Sequence, residues 1–158
     1  MHEQFFDYVI IGAGTSGCVV AGRLSETRKY NICVLEEGPE DNNQFIHIPA
    51  GVLQTLKNPA INWMYKGVPS IGLNGRAIDH ARGKTLGGSG SINGHIYNRG
   101  QRADFDAWAQ CGNTGWSYAD VLPYFIKSER KIGGGDKKYH GNNGPFTITE
   151  IDEKRCPV

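Results

Sequence analysis

Six consecutive residues near the N-terminus carry the clearest chemistry: Gly12-Ala13-Gly14-Thr15-Ser16-Gly17 has the spacing Gly-x-Gly-x-x-Gly. Between a strand and a helix, the first glycine permits a tight turn and the second lets backbone N–H groups approach a pyrophosphate. The third lets helix and strand pack closely. The anion then lies at the positive end of the helix dipole. Glu36 follows nineteen positions after Gly17. There a carboxylate accepts a hydrogen bond from a ribose 2′-hydroxyl and repels a 2′-phosphate, which disfavours NADP. FAD and NAD share the ADP half that such a turn grips, so these residues leave the two open.

The elements that must position this turn are readable on either side of it. Phe5-Phe6-Asp7-Tyr8-Val9-Ile10-Ile11 is a nearly continuous apolar run, the pattern of a strand buried on both faces of a parallel sheet. Cys18, Val19, Val20, Ala21 and Leu24 fall at helical spacing, and Asn31-Ile32-Cys33-Val34-Leu35 reads as a second buried strand. Residues 1–38 therefore form a βαβ unit with a right-handed crossover, and the fold class is α/β.

Residues 39–82 are punctuated by Pro39, Pro49, Pro59 and Pro69, leaving room for short helical pieces such as Val52 to Lys57. Asn74-Gly75 signals a type I′ hairpin, because both central residues need positive φ. A second glycine cluster spans 83–100. Ser117 and Asp120 have capping-box spacing ahead of a helix through Val121, Leu122, Tyr124, Phe125 and Ile126, with Pro123 a difficulty inside it. Gly133-Gly134-Gly135-Asp136-Lys137-Lys138 reads as a flexible connector, and Gly144-Pro145-Phe146-Thr147-Ile148-Thr149 as a turn entering a strand.

Composition removes several classes of function. The 158 residues suffice for one ordinary domain, and no apolar run approaches the ~20 residues of a membrane-spanning helix. Seventeen Lys and Arg against sixteen Asp and Glu give a formal charge of +1 without a basic block, so nucleic acid is not an expected partner. Glu3 and Asp7 stand where a secretory signal would be basic, which points to a cytoplasmic protein, at most peripherally attached to the inner membrane. Cys18, Cys33, Cys111 and Cys156 show no Cys-x-x-Cys spacing, so neither zinc nor a disulfide framework is expected.

The stretch Gly83-Lys84-Thr85-Leu86-Gly87-Gly88-Ser89-Gly90-Ser91-Ile92-Asn93-Gly94-His95-Ile96-Tyr97-Asn98-Arg99-Gly100 resembles the first signature of the glucose-methanol-choline family of FAD-dependent oxidoreductases. Further landmarks in family order are Asp7 to Gly12 with its glycine turn, Leu35-Glu36-Glu37-Gly38 and Asn62-Trp63. Gly115-Trp116-Ser117-Tyr118, Val121 to Phe125, and His140-Gly141 with Gly144-Pro145 continue the order. The resemblance covers essentially the whole chain and is nearest to the choline and alcohol dehydrogenase branch.

It implies a Rossmann-like FAD-binding unit, an alcohol substrate, and hydride transfer from the carbinol carbon to flavin N5 while a histidine base takes the hydroxyl proton. By position, Gly12, Gly14, Thr15, Ser16 and Gly17 would hold the pyrophosphate and Glu36 the adenosine ribose. Thr85 and Asn93-Gly94-His95-Ile96 would line the flavin side, with Gly87 and Gly88 letting backbone approach. Members with a flavin-linked histidine carry it at the position of Ile92, so a noncovalent FAD is expected. Gly90 stands where many members have Ser, and Glu37 where many have Ala. Members are more than three times as long and place their catalytic histidine and its partner near the C-terminus. On this resemblance the chain is the N-terminal part of an enzyme, with no catalytic base of its own and an incomplete sheet. A second chain or a missing C-terminal portion would complete the site, and residues 101–158 would lead towards the absent substrate domain.

Other side chains take structural readings. His2 lies in a tail, His47 and His80 in irregular segments, His140 serves a turn, and His95 would meet the flavin through its backbone. Trp63, Trp108 and Trp116 could be imagined as an aromatic cage, but nothing brings them together, and buried packing is expected. Asp104 and Asp106 are expected to be solvated, since neighbours at i and i+2 do not share a helical face. The rival functional readings are a non-catalytic dinucleotide-binding scaffold and a truncated chain with bare strand edges.

Overall fold

The structure, a computed structural model, describes residues 3–150; His2 and Cys156 lie outside the described residues. The chain divides into two compact units, Met1–Ile96 and Tyr97–Val158.

The first unit opens with the expected βαβ order. Strand β1 (Tyr8–Ile11) runs into helix α1 (Thr15–Ser25), which returns the chain to β2 (Ile32–Leu35). The strands pair in parallel from Tyr8↔Ile32 to Ile11↔Leu35. Expected burial on both faces is not observed: Ile11 is 88% exposed and Leu35 52%. The reason is that the sheet has only two strands and α1 buries none of its residues. A nearly continuous apolar run is the pattern of a strand covered on both faces, and two paired strands with α1 do not supply that cover.

After β2 come two 3₁₀ turns, Gln44–Ile46 and Pro49–Gly51, and the short helix α2 (Val52–Thr55). Strands β3 (Tyr65–Lys66) and β4 (Asp79–His80) pair antiparallel, so His80 sits in a strand. Asn74 and Gly75 both have positive φ, 53° and 73°, as the dipeptide requires. They do not make the expected two-residue hairpin, because the 3₁₀ turn Ile71–Leu73 precedes them and Asn74 serves as its cap. Helix α3 (Ser89–Ile92) lies within the second glycine cluster. Ile92 packs with Ile46 and Ile61 in a small core, with Leu56 against it.

The second unit pairs helix α4 (Arg102–Gln110) with α5 (Tyr118–Ser128). Phe105 is their common centre, its ring 5.4 Å from Trp108, 6.2 Å from Tyr118 and 5.6 Å from Phe125. The Ser117 capping box forms as read: the Ser117 hydroxyl accepts from Asp120 N–H at 3.3 Å and Asp120 accepts from Ser117 N–H at 3.1 Å. Pro123 is accommodated inside α5.

Asp104 and Asp106 are not idle solvated residues. Asp104 closes a second capping box on Gln101 N–H at 2.8 Å, and Asp106 accepts from Tyr118 N–H at 2.9 Å, tying one helix to the next. The last strands, β5 (Glu129–Lys131) and β6 (Phe146–Ile148), pair in parallel. Between them the glycine run forms turns, with Gly133 and Gly134 at positive φ and Asp136 accepting from Lys138 N–H at 2.9 Å.

Candidate functional site

The glycine turn is built as its spacing requires. Gly12 has φ +96° and ends β1 by donating its N–H to Leu35 O at 2.7 Å. A Cβ on Gly17 would fall on Gly12 O, so the third glycine is what lets α1 begin against the turn. No side chain caps α1 at Gly14, so its first-turn N–H groups lack an intrahelical or capping partner at the turn. Together with the helix dipole they form a concentration of positive potential without a formal charge.

Glu36 is tied into this turn. Its Oε2 accepts from Ala13 N–H at 2.8 Å and its Oε1 from Gly38 N–H at 3.0 Å. One carboxylate thus clamps the turn to the end of β2, and each oxygen retains acceptor capacity for a further hydroxyl.

The second glycine cluster packs directly on the first. Gly87 N–H donates to Ala13 O at 2.8 Å, and Gly87 bridges Gly14 in parallel fashion. Gly88, at φ +57°, would place a Cβ 2.8 Å from Gly14 Cα, and Gly90 would place one 2.7 Å from Thr15 Oγ1. Two backbones approach here more closely than any side chain would allow.

Thr85 lies beneath this contact, fully buried, with its hydroxyl donating to Pro39 O at 2.9 Å. Its side chain is a structural tie that presents no surface. The neighbouring Asn62, only 2% exposed, knots three segments: its Nδ2 donates to Leu56 O at 2.8 Å, and its Oδ1 accepts from Met64 N–H at 3.1 Å and Arg82 N–H at 3.0 Å.

These elements enclose a cleft of about 780 Å³. Of the residues expected at the site, Gly12, Gly14, Thr15, Ser16, Gly17, Glu36 and Gly88 line it. Asn93, Gly94, His95 and Ile96 are not on its wall. They form an exposed strip at the end of the first unit, in which His95 adopts φ +56° and donates its N–H to Asn93 Oδ1 at 2.8 Å. The Ile92 side chain is turned into the core and is 2% exposed.

The cleft also contains residues that sequence reasoning passed over or read differently. Trp63 and Tyr65 stand on its wall with their rings 5.8 Å apart and nearly parallel. Lys84 Nζ lies 4.7 Å from the Trp63 ring and 3.5 Å from Glu37 Oε1. Arg82 completes the wall; an arginine directly before the glycine run was the available signal. The three tryptophans are not buried, with exposures of 40% at Trp63, 50% at Trp108 and 51% at Trp116. Trp108 and Trp116 meet edge to face in the second unit at 5.8 Å, and Trp63 pairs with Tyr65 in the first.

The second unit holds a different polar centre. Glu129 is fully buried and paired with Arg99, while its Oε1 lies 2.7 Å from His140 Nδ1 and its Oε2 accepts from Tyr97 Oη at 3.4 Å. His140 therefore does more than serve a turn. Desolvation, then the charges of Lys131 and Arg99, hold its pKa below the usual histidine value. The neutral ring donates from Nδ1 to a carboxylate that Arg99 already compensates.

His47 Nε2 is 2.7 Å from Asp41 O in a loop. Cys18, Cys33 and Cys111 are free thiols, and Cys18 Sγ lies 3.3 Å from Ala13 O. Among the described residues no group of three or more His, Cys, Asp or Glu side chains could hold a metal ion, and no helix is long and apolar enough to cross a membrane.

Comparison with known proteins adds four likenesses to this geometry. A family model described as GMC oxidoreductase matches residues 6–149. An oxygen-dependent choline dehydrogenase of Sinorhizobium fredii (strain NBRC 101917 / NGR234) is 46% identical over 142 residues, covering 90% of this chain and 26% of the relative. A pyridoxine 4-oxidase from Mesorbium loti superposes with a TM-score of 0.86 at 34% identity, over 96% of this chain and 30% of that one. A formate oxidase of Aspergillus oryzae RIB40, studied for FAD modification, superposes with a TM-score of 0.80 at 32% identity, over 96% of this chain and 28% of that one. The chain spans about a quarter of the length of the curated relatives it matches.

Proposed function

The chain belongs to the GMC oxidoreductase family, and on that premise we propose that its cleft binds FAD without a covalent bond, as the cofactor-gripping part of an enzyme that oxidises an alcohol. The observation that carries this reading is the direct packing of the two glycine clusters, Gly14 on Gly87 and Gly88, beside a carboxylate fixed at Glu36. FAD, when bound, supplies the acceptor for a hydride leaving the alcohol carbon.

This chain's own residues bind and orient. The uncapped first turn of α1, with Gly12, Gly14, Thr15, Ser16 and Gly17, holds the pyrophosphate. Glu36 accepts from the adenosine ribose with the lone pairs that Ala13 and Gly38 leave free. The strip Asn93-Gly94-His95-Ile96 offers backbone groups to the flavin side, with His95 contributing its main chain and no acid–base work. Gly87 acts through its backbone contact to the turn, and Thr85 by holding the segment beneath it.

An isoleucine turned into the core at position 92 provides no attachment point for a covalent flavin. No catalytic base is assigned to these residues. The base and the substrate pocket come from a C-terminal portion or a second chain. The nearest substrate class is a small choline-like alcohol.

Titration of the 158-residue chain with FAD tests the reading. Saturable quenching of flavin fluorescence at one FAD per chain is expected, with NAD failing to displace it. Replacing Glu36 by Gln, which converts one acceptor into a donor, is expected to weaken FAD by about 2 kcal/mol. A flat titration of the unaltered chain overturns the proposal.

A further inference from the structure

The cleft is short of positive charge for the ligand proposed for it. Its wall carries two carboxylates, Glu36 and Glu37, and a pyrophosphate would add further negative charge. Helix N-terminal amides contribute only about half an elementary charge. Arg82 is the single cationic side chain lining the cleft among the described residues. Nearby Lys84 is already engaged with Glu37 and the Trp63 ring.

Arg82 is held as a presenting residue would be. Its N–H is fixed by the buried Asn62 Oδ1 at 3.0 Å and its carbonyl accepts from Trp63 N–H at 2.9 Å. Backbone position is thus set from both sides, while the side chain is exposed. Nη1 donates to Ala81 O at 2.6 Å, and among the described residues no carboxylate lies within salt-bridge distance of the guanidinium. Most of its five donors remain uncommitted. The next residue, Gly83, packs on Gly88 O, and Gly88 in turn packs on Gly14. Arg82 is therefore linked to the turn that would hold the pyrophosphate through two packed glycines, Gly83 and Gly88.

We propose that the Arg82 guanidinium is the counter-charge for a pyrophosphate seated on the Gly12–Gly17 turn, bridging the two glycine clusters through the ligand. The proposal rests on the FAD reading and adds to it a side chain that neither spacing nor glycine geometry assigns. A planar fork suits phosphate oxygens, and the contact is charge-assisted at both ends.

The test compares FAD, ADP and adenosine binding to the unaltered chain, Arg82→Met and Arg82→Lys. Arg82→Met is expected to raise the dissociation constants of FAD and ADP by about tenfold or more while leaving adenosine, which has no phosphate, unchanged. Arg82→Lys recovers part of the loss, and the salt dependence of ADP binding becomes shallower in Arg82→Met. Unchanged FAD and ADP binding in Arg82→Met overturns the assignment, as does an equal loss for adenosine, which would mark a purely structural role. An unaltered chain that binds neither FAD nor ADP is a separate result: it defeats the FAD reading itself and this assignment with it.

Discussion

The two units solve the problem of a polar interior in opposite ways. In the first, the cleft is shaped by missing side chains: Gly14 and Gly88 meet through bare backbone, and the uncapped polar groups at the turn are amides. In the second, Glu129 is a fully buried charge whose position depends on Arg99, His140 and Tyr97 all being present. The first arrangement tolerates no added atom. The second tolerates no lost one. Backbone complementarity suits a large anion that must come and go, whereas a compensated buried charge suits permanent architecture.

The largest effect should come from subtraction in the second unit. Glu129→Ala leaves the Arg99 guanidinium without its counter-charge and should cost about 3–5 kcal/mol of stability, read as a fall in the urea midpoint. A loss below about 1 kcal/mol would mean that the pair behaves like an exposed one, and the contrast between the units would collapse.

Addition to the first unit comes next. Gly88→Ala puts a methyl 2.8 Å from Gly14 Cα at a positive φ, and should cost about 2–3 kcal/mol together with most FAD affinity in titration. Retained affinity would show that the two glycine backbones can part without harm.

The smallest effect is a pH dependence. His140 takes up its proton at lower pH in the folded chain than in the unfolded one. Its contribution is therefore complete above about pH 6.5 and is lost as pH falls below that value, because the unfolded state protonates first. Urea unfolding of the unaltered chain and His140→Gln between pH 7.5 and 5 should show the unaltered chain losing more stability. The reverse slope would mean that Glu129 dominates over desolvation, Lys131 and Arg99.

Local patterns made the first unit legible. The apolar run at Tyr8 to Ile11, the helical spacing from Cys18 to Leu24 and the glycine spacing at 12–17 each depend on neighbours in the chain, and β1, α1 and the turn formed accordingly. Glu36 could be placed from its distance along the chain, although its grip on Ala13 N–H could not. What escaped reading depends on distant partners. The anchoring of Thr85 comes from Pro39, the backbone placement of Arg82 from Asn62, and the fate of Glu129 from Arg99 and His140. Apolar residues alone mark the strands as buried, yet exposure follows from how many strands are there to cover them.

The seam between Gly14 and Gly88 has a consequence for anyone wishing to re-engineer the cleft. Its width there is dictated by covalent backbone dimensions, so truncating mutations have nothing to trim and saturation libraries at these positions can only obstruct. Broadening cofactor choice would call for inserting or deleting residues in the flanking loops, a change of chain length in place of a change of letter.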